Sequence, residues 1–145
     1  MKNILFFALV GLLVSCASST GPSPEEAAAN RARPYNEGMQ ALAQYQTEPG
    51  CDGPANAAVS ANLADVEIMT VRFNRVGGTL APYAREAKVR HQNLAFGYAD
   101  AALGKNCLNT ADRVYRSLIT LYIGTAYAGI RDRARIGIDD VRAKR

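Results

Sequence analysis

The chain has 145 residues, with 17 basic and 13 acidic side chains, 48% hydrophobic residues, three cysteines and one histidine. This length fits one domain, and a net charge of +4 is too low, with this hydrophobic content, for a disordered chain. Three cysteines cannot form a four-cysteine zinc site, and one histidine excludes most multi-histidine metal centres and disfavours acid–base enzymes. We therefore expect neither a metal nor another cofactor.

Residues 1–15 have the features of a secretory signal peptide. Lys2 precedes residues 4–14, which form an uncharged and almost wholly apolar run. A membrane-spanning helix needs about 20 apolar residues, so this run is too short to cross a bilayer. Its length and its basic flank are typical of a cleaved signal. A buried N-terminal helix is the alternative, which the absence of a polar face disfavours.

The sequence Leu13-Val14-Ser15-Cys16 resembles the lipobox of bacterial lipoproteins. The resemblance implies cleavage before Cys16 and acylation of that cysteine, so that residues 16–24 become a lipidated, flexible tether. The bilayer is then a partner through the acylated Cys16. Ala17, where an aspartate would favour retention in the inner membrane, implies an outer-membrane anchor facing the periplasm, with exposure on the cell surface or an inner-membrane anchor as the alternatives. An ordinary signal peptide cleaved after Ala17 or Ser19 is the alternative.

Residues 25–145 are predicted to be all-α, because alanine is abundant and apolar residues recur at intervals of three and four. We expect a small antiparallel bundle of about five helices. Ser23 and Pro24 provide a helix start, Pro34 is expected to interrupt the first helix, and its main part covers residues 35–47. The other predicted helices cover residues 55–76, residues 82–103, a segment beginning at Asn109 or Thr110, and residues 126–143. A strand over residues 117–123 is the alternative, which the flanking helical spacing disfavours.

The third and fourth predicted helices resemble one tetratricopeptide unit. The pattern consists of Tyr98-Ala99-xx-Ala102 followed by Ala111-xxx-Tyr115-xx-Leu118. The resemblance implies a stack of helical hairpins that binds a peptide or an envelope protein in a groove. The chain departs from the family pattern at Ala95, where a large aromatic residue is usual, and in lacking a closing proline.

Cys51 and Cys107 remain once Cys16 is acylated, and an exported pair of cysteines predicts a disulfide. Short connections make neighbouring helices antiparallel, which places both cysteines in loops at the same end of the bundle. Closing a loop of about 57 residues would stabilise the fold by roughly 4 kcal/mol. The alternatives are a reactive thiol or a metal site, but neither cysteine has a CxxC partner or a histidine nearby.

After removal of residues 1–15, all of the excess positive charge lies in the last 15 residues. Such charge is typical of a solvated helix end, where cations complement the free carbonyls. Contact with lipid headgroups, lipopolysaccharide or an acidic partner is the alternative. No nucleic acid is expected, because the chain is exported and lacks a binding signature. The possible partner surface comprises Arg131, Arg133, Arg135, Arg142, Lys144 and Arg145.

No group of residues predicts catalysis. His91 has the helical spacing of a half-buried residue between helices, and the adjacent Asp139 and Asp140 point in different directions on a helix. Gly77-Gly78 is too short a motif for a phosphate-binding loop. We expect a membrane-anchored lipoprotein of the cell envelope, not an enzyme, that acts as a structural or protein-interaction module with an envelope protein as its partner.

Two alternative functions remain open. A helical-repeat adaptor would bind a peptide or an envelope protein in a groove lined by Tyr83, Tyr98 and Tyr122. A small ligand- or metal-binding periplasmic protein would use His91 and the cysteine thiols.

Overall fold

The computed structural model describes residues 21–75 and 81–145. The predicted signal peptide, the lipobox with Cys16, most of the predicted tether and the Gly77-Gly78 pair lie outside the described residues.

Five α-helices make up most of the described chain, and no strand occurs in it. A single 3₁₀ turn, Thr125–Tyr127, precedes the last helix. The predicted all-α class is confirmed, and residues 117–121 are helical. The helices are α1 (Pro24–Thr47), α2 (Pro54–Arg75), α3 (Ala81–Gly104), α4 (Leu108–Leu121) and α5 (Ala128–Ala143).

Helix α1 begins at the predicted serine cap but does not break at Pro34. The Ser23 hydroxyl accepts from the Glu26 backbone N–H, and the Glu26 carboxylate accepts from the Ser23 N–H. The expected interruption at Pro34 is wrong, because one continuous helix includes this residue. An interior proline costs about 3 kcal/mol, but Pro34 is buried, and Arg90 donates to the nearby Arg31 carbonyl at 3.4 Å. Tertiary packing thus outweighs the local penalty.

The turn between α3 and α4 is formed by Asn106 in the left-handed region, at φ 64°. The Asn106 and Cys107 N–H groups donate back to the carbonyls of Leu103 and Ala102, which closes the last turn of α3. Cys107 is therefore the N-cap of α4. The expected caps, Asn109 and Thr110, are wrong because both lie inside the first turn of the helix.

Consecutive helices pack in antiparallel pairs, and α3 also contacts both α1 and α5. Within the described residues, α1 and α5 share no substantial contact, so the bundle is an open array. We call its two ends the disulfide end, where α1 finishes and α4 begins, and the tether end, where α1 begins. None of the described helices is long and apolar enough to cross a membrane.

Glycines let α1 and α3 approach closely in the core. A Cβ atom on Gly38 would lie 2.6 Å from Leu94 Cδ2, and one on Gly97 would lie 2.8 Å from Leu42 Cδ2. Both leucines are buried. Helix α3 is the central helix, because it contacts each of the other four helices.

Candidate functional site

An open groove runs between α2 and α4, with a volume of about 730 Å³. It forms because α2 and α4 both pack against α3 and not extensively against each other. The lining is a mixture of small apolar and neutral polar side chains with one residue of each charge. These residues are Asp52, Asn56, Ala57, Ser60, Ala61 and Ala64 on one side, and Asn109, Thr110 and Arg113 on the other.

Tyr98 of α3 orients one side chain of this groove. Its side chain is fully buried, and its hydroxyl donates to Asn56 Oδ1 over 2.5 Å. Burial raises the pKa of Tyr98, although the nearby Arg113 guanidinium opposes the rise. The tyrosine therefore remains a donor, and it holds the Asn56 amide with its oxygen towards α3 and its NH₂ group directed elsewhere.

The surface becomes more apolar and more basic farther along α2. A second open depression, of about 550 Å³, begins at Ala64 and continues towards the C-terminus of the helix. Ile68 and Val71 line it together with Arg72 and Arg75, and the Ile68 side chain is 63% exposed. The polar groove at the disulfide end is thus followed by an apolar and basic surface at the tether end.

His91 lies on α3 between α2 and α4, and it is fully buried, not half-buried as expected. The Tyr122 hydroxyl is 3.2 Å from the Lys88 carbonyl and 3.0 Å from His91 Nδ1. Because a carbonyl only accepts, the tyrosine proton goes to Lys88, and Nδ1–H of His91 donates to Tyr122. The ring links α3 to the end of α4 and has no exposed surface from which to serve a substrate.

The other ring nitrogen of His91 faces a carboxylate on α2. Its Nε2 lies 3.7 Å from Glu67 Oε2, which is within ion-pairing distance. The His91 ring lowers the pKa of Glu67, while partial burial of the carboxylate opposes that change. Glu67 also lines the depression on α2, so its carboxylate lies between the buried His91 ring and the surface.

Cys51 and Cys107 are joined in a disulfide, with their Cα atoms 5.4 Å apart, as the sequence predicted. The bond ties the loop before α2 to the N-cap of α4. Neither sulfur is therefore available as the free thiol that the ligand- or metal-binding alternative requires. Asn109 and Thr110 border both the disulfide region and the groove, so the bridge fixes the separation of the groove's two walls at this end.

Each of the six C-terminal basic residues donates to an acceptor within the chain. Arg131 donates to the Tyr122 and Gly124 carbonyls, and Arg133 pairs with Asp100 at 2.9 Å. The other four donate to neighbouring acceptors: Arg135 to Asp132, Arg142 to Asp139, Lys144 to the Leu103 carbonyl and Arg145 to Asn109. Helix α5 runs from the tether end to the disulfide end, and it separates residues that are close in sequence.

The three tyrosines that were expected to line a groove together are also separated. Tyr98 and Tyr122 are buried in the core, where each bonds a different element. Tyr83 is half-buried and lies beneath the Arg31 guanidinium, 3.9 Å from its ring centroid, near α1. The groove that would favour the adaptor alternative is therefore not formed by these tyrosines, and the α2/α4 groove has a tyrosine only behind its wall.

Sequence reasoning missed the residues that line the groove, although α2 carries a signal for them. Ala57, Ser60, Ala61 and Ala64 are spaced at intervals of three and four, on a face away from the apolar stripe that contains Val59. Such a stripe of small residues indicates a second packing face or an open surface. Its partner, α4, could be identified only from the three-dimensional arrangement.

Comparison with known proteins does not identify a relative of this chain. No family model matches it, and no curated protein or solved structure shows a significant match.

Proposed function

We propose that this chain is a lipid-anchored protein of the bacterial cell envelope, and that it acts as a non-catalytic binding module. Acylated Cys16 would hold it at the outer membrane, facing the periplasm. Its α2/α4 groove would bind an extended segment of an envelope protein. The anchor is supported by the resemblance of residues 13–16 to a lipobox, and the binding role by the groove.

The observation that carries the binding proposal is the chemistry of the groove lining. Asn56, Ser60, Asn109 and Thr110 offer both donors and acceptors, which match the alternating N–H and C=O groups of an extended backbone. Alanines between them leave room for the chain. Residues 54–64 extend over about 15 Å of helix, the length of about four to five residues of extended polypeptide.

The anchor would strengthen such binding without adding contacts. Restricting the domain to a membrane surface raises its effective concentration towards partners held at the same surface. A groove with mainly neutral polar contacts, and therefore modest intrinsic affinity, gains most from this effect.

Site-specific photocrosslinking tests the groove. A photoreactive amino acid at Ala61, which lines the groove, is compared with the same residue at Ala43, an exposed alanine of α1. We expect a discrete crosslinked envelope protein from position 61 only, and its yield should fall in a Ser60→Arg variant that fills the groove. Equal products from both positions, or a product from position 43 alone, would contradict the assignment.

A separate experiment tests the anchor. Cys16→Ala should abolish fatty-acid labelling and release the domain from membranes, because no other residue carries the proposed lipid. Mass spectrometry of the amino terminus from the native host gives the same answer without a substitution. Labelling that persists in the Cys16→Ala variant refutes the anchor.

A further inference from the structure

We propose that the tether end of the bundle is a docking surface for an anionic lipid membrane, namely the leaflet that holds the acyl chains of Cys16. This inference rests on the proposed lipid anchor and adds to it an orientation and a second, non-covalent membrane contact. Three independent features of the described residues support it.

The first feature is where the chain enters the bundle. Cys16 precedes Pro24, the first residue of α1, by eight residues, which span at most about 28 Å when fully extended. Helix α1 has 24 residues and is about 36 Å long. Pro24 therefore lies within about 28 Å of the anchored leaflet, so the tether keeps the tether end within reach of the lipid surface.

The second feature is an uneven distribution of charge along the bundle. The half at the tether end comprises residues 21–35, 65–75, 81–92 and 115–135, and it has eleven basic and six acidic side chains. The half at the disulfide end has five basic and seven acidic side chains, and two of the acidic ones, Asp100 and Asp112, pair with Arg133 and Arg116 of the tether-end half. Of the C-terminal basic residues, Arg131, Arg133 and Arg135 thus lie on the side of the predicted anchor, together with eight basic residues from the other helices. Clustered basic residues attract anionic headgroups.

The third feature is an isoleucine presented to solvent at this end. Ile123 is 75% exposed, the largest exposed fraction among the large hydrophobic side chains of the described chain. Arg131 donates to the carbonyls of Tyr122 and Gly124, on both sides of Ile123, and so holds the loop in place. Gly124 has φ +101°, which favours glycine. The loop therefore projects an apolar side chain beside the Arg131 guanidinium, a combination suited to a lipid interface.

A fluorescence experiment on the full acylated protein tests the proposal. The environment-sensitive dye NBD is attached at Ile123→Cys or, as the control, at Ala43→Cys in the disulfide half. Each protein is reconstituted into vesicles of phosphatidylcholine alone or of an equimolar mixture with phosphatidylglycerol. We expect the dye at position 123 to brighten and shift to the blue on the anionic vesicles, and to revert at high salt. The dye at position 43 should not respond.

Paired charge variants separate docking from general electrostatic attraction. Arg72→Gln with Arg75→Gln should lower the ratio of docked to undocked protein about 30-fold, since each basic residue near the surface contributes about fivefold. Arg142→Gln with Arg145→Gln removes the same charge from the disulfide end and should leave the ratio unchanged. Equal losses in the two variants, or a dye at position 123 that ignores lipid charge, would overturn the proposal.

Two further measurements distinguish membrane docking from self-association of the chain and from failure of the lipid anchor. A signal that depends on protein density at fixed lipid composition would show that a second copy of the chain covers this end, which also overturns membrane docking. Flotation with phosphatidylcholine vesicles measures the anchor alone. Protein that does not float there refutes the anchor, whereas protein that floats but shows no change at position 123 refutes only the docking surface.

Discussion

The two ends of the bundle are held together by different chemistry. At the disulfide end, a covalent bond joins Cys51 to Cys107, and Lys105 closes the end of α1 by donating to the Tyr45 and Glu48 carbonyls at 2.6 and 2.7 Å. A lysine at this position also complements the negative end of the helix dipole. This end therefore combines a covalent link with a satisfied helix terminus.

At the tether end, buried polar groups take the place of the covalent bond. The Tyr122 hydroxyl lies between His91 and the Lys88 carbonyl, and the Lys88 ammonium donates to the Tyr127 hydroxyl over 2.5 Å. Such a network stabilises only while every partner is present, because an unpaired buried polar group is costly. The comparison shows one end that resists local opening and another whose stability depends on side-chain chemistry, next to the proposed membrane contact.

Removing the covalent link gives the largest expected effect. The double variant Cys51→Ser with Cys107→Ser should lower the free energy of unfolding by about 4 kcal/mol, because the unfolded chain is freed from a closed loop. Urea unfolding measures the change. Reduction of the wild type should reproduce it, and a wild-type unfolding curve that reductant leaves unchanged would show that the bridge does not stabilise this end.

Weakening the polar network should have a smaller effect. Tyr122→Phe leaves the buried His91 Nδ1–H without its acceptor, which should cost about 2 kcal/mol in urea unfolding. Tyr35→Phe, at a half-buried tyrosine of α1, is the matched control and should change the free energy of unfolding by less than about 0.5 kcal/mol. Equal effects of the two variants would mean that the Tyr122 hydroxyl contributes nothing specific.

Lys105→Met tests the non-covalent closure at the disulfide end. The variant keeps an aliphatic side chain over the Tyr45 ring but removes the two hydrogen bonds to α1. We expect a loss of about 1 kcal/mol, because the group is half-buried and water can replace part of its role. Lys144→Met, at an exposed lysine that donates to the Leu103 carbonyl, should have almost no effect. A larger loss from Lys144→Met would reverse this assignment.

The parts of the fold that the sequence predicted correctly are those decided by local chemistry. Ser23 and Pro24 with acidic residues in the first turn are a local start signal, and the disulfide followed from an exported pair of cysteines that the antiparallel helices place at one end. Pro34 was misleading because its penalty is local, whereas the burial that outweighs it comes from other helices. The cap at Cys107 was missed because it depends on the left-handed Asn106 before it.

The candidate surfaces were harder to predict, because both join residues that are distant in sequence. The groove needs α2 and α4 side by side, which follows only from how each packs on α3. The C-terminal arginines look like one cluster in the sequence, but a helix of 16 residues carries Arg131 and Arg145 to opposite ends of the bundle.

The smallest expected effect is the contribution of Glu67 to the free energy of unfolding, which should disappear at acidic pH. The His91 ring lowers the pKa of Glu67 below its usual value of 4.5, so the native state binds this proton less readily than the unfolded state. The resulting stabilisation is complete above about pH 4.5 and is lost as pH falls through the lowered pKa. The Glu67 side chain is 40% exposed, so the effect should stay below about 1 kcal/mol. Urea unfolding of the wild type and Glu67→Gln should differ at neutral pH and converge in acid, whereas a constant difference would exclude this contribution.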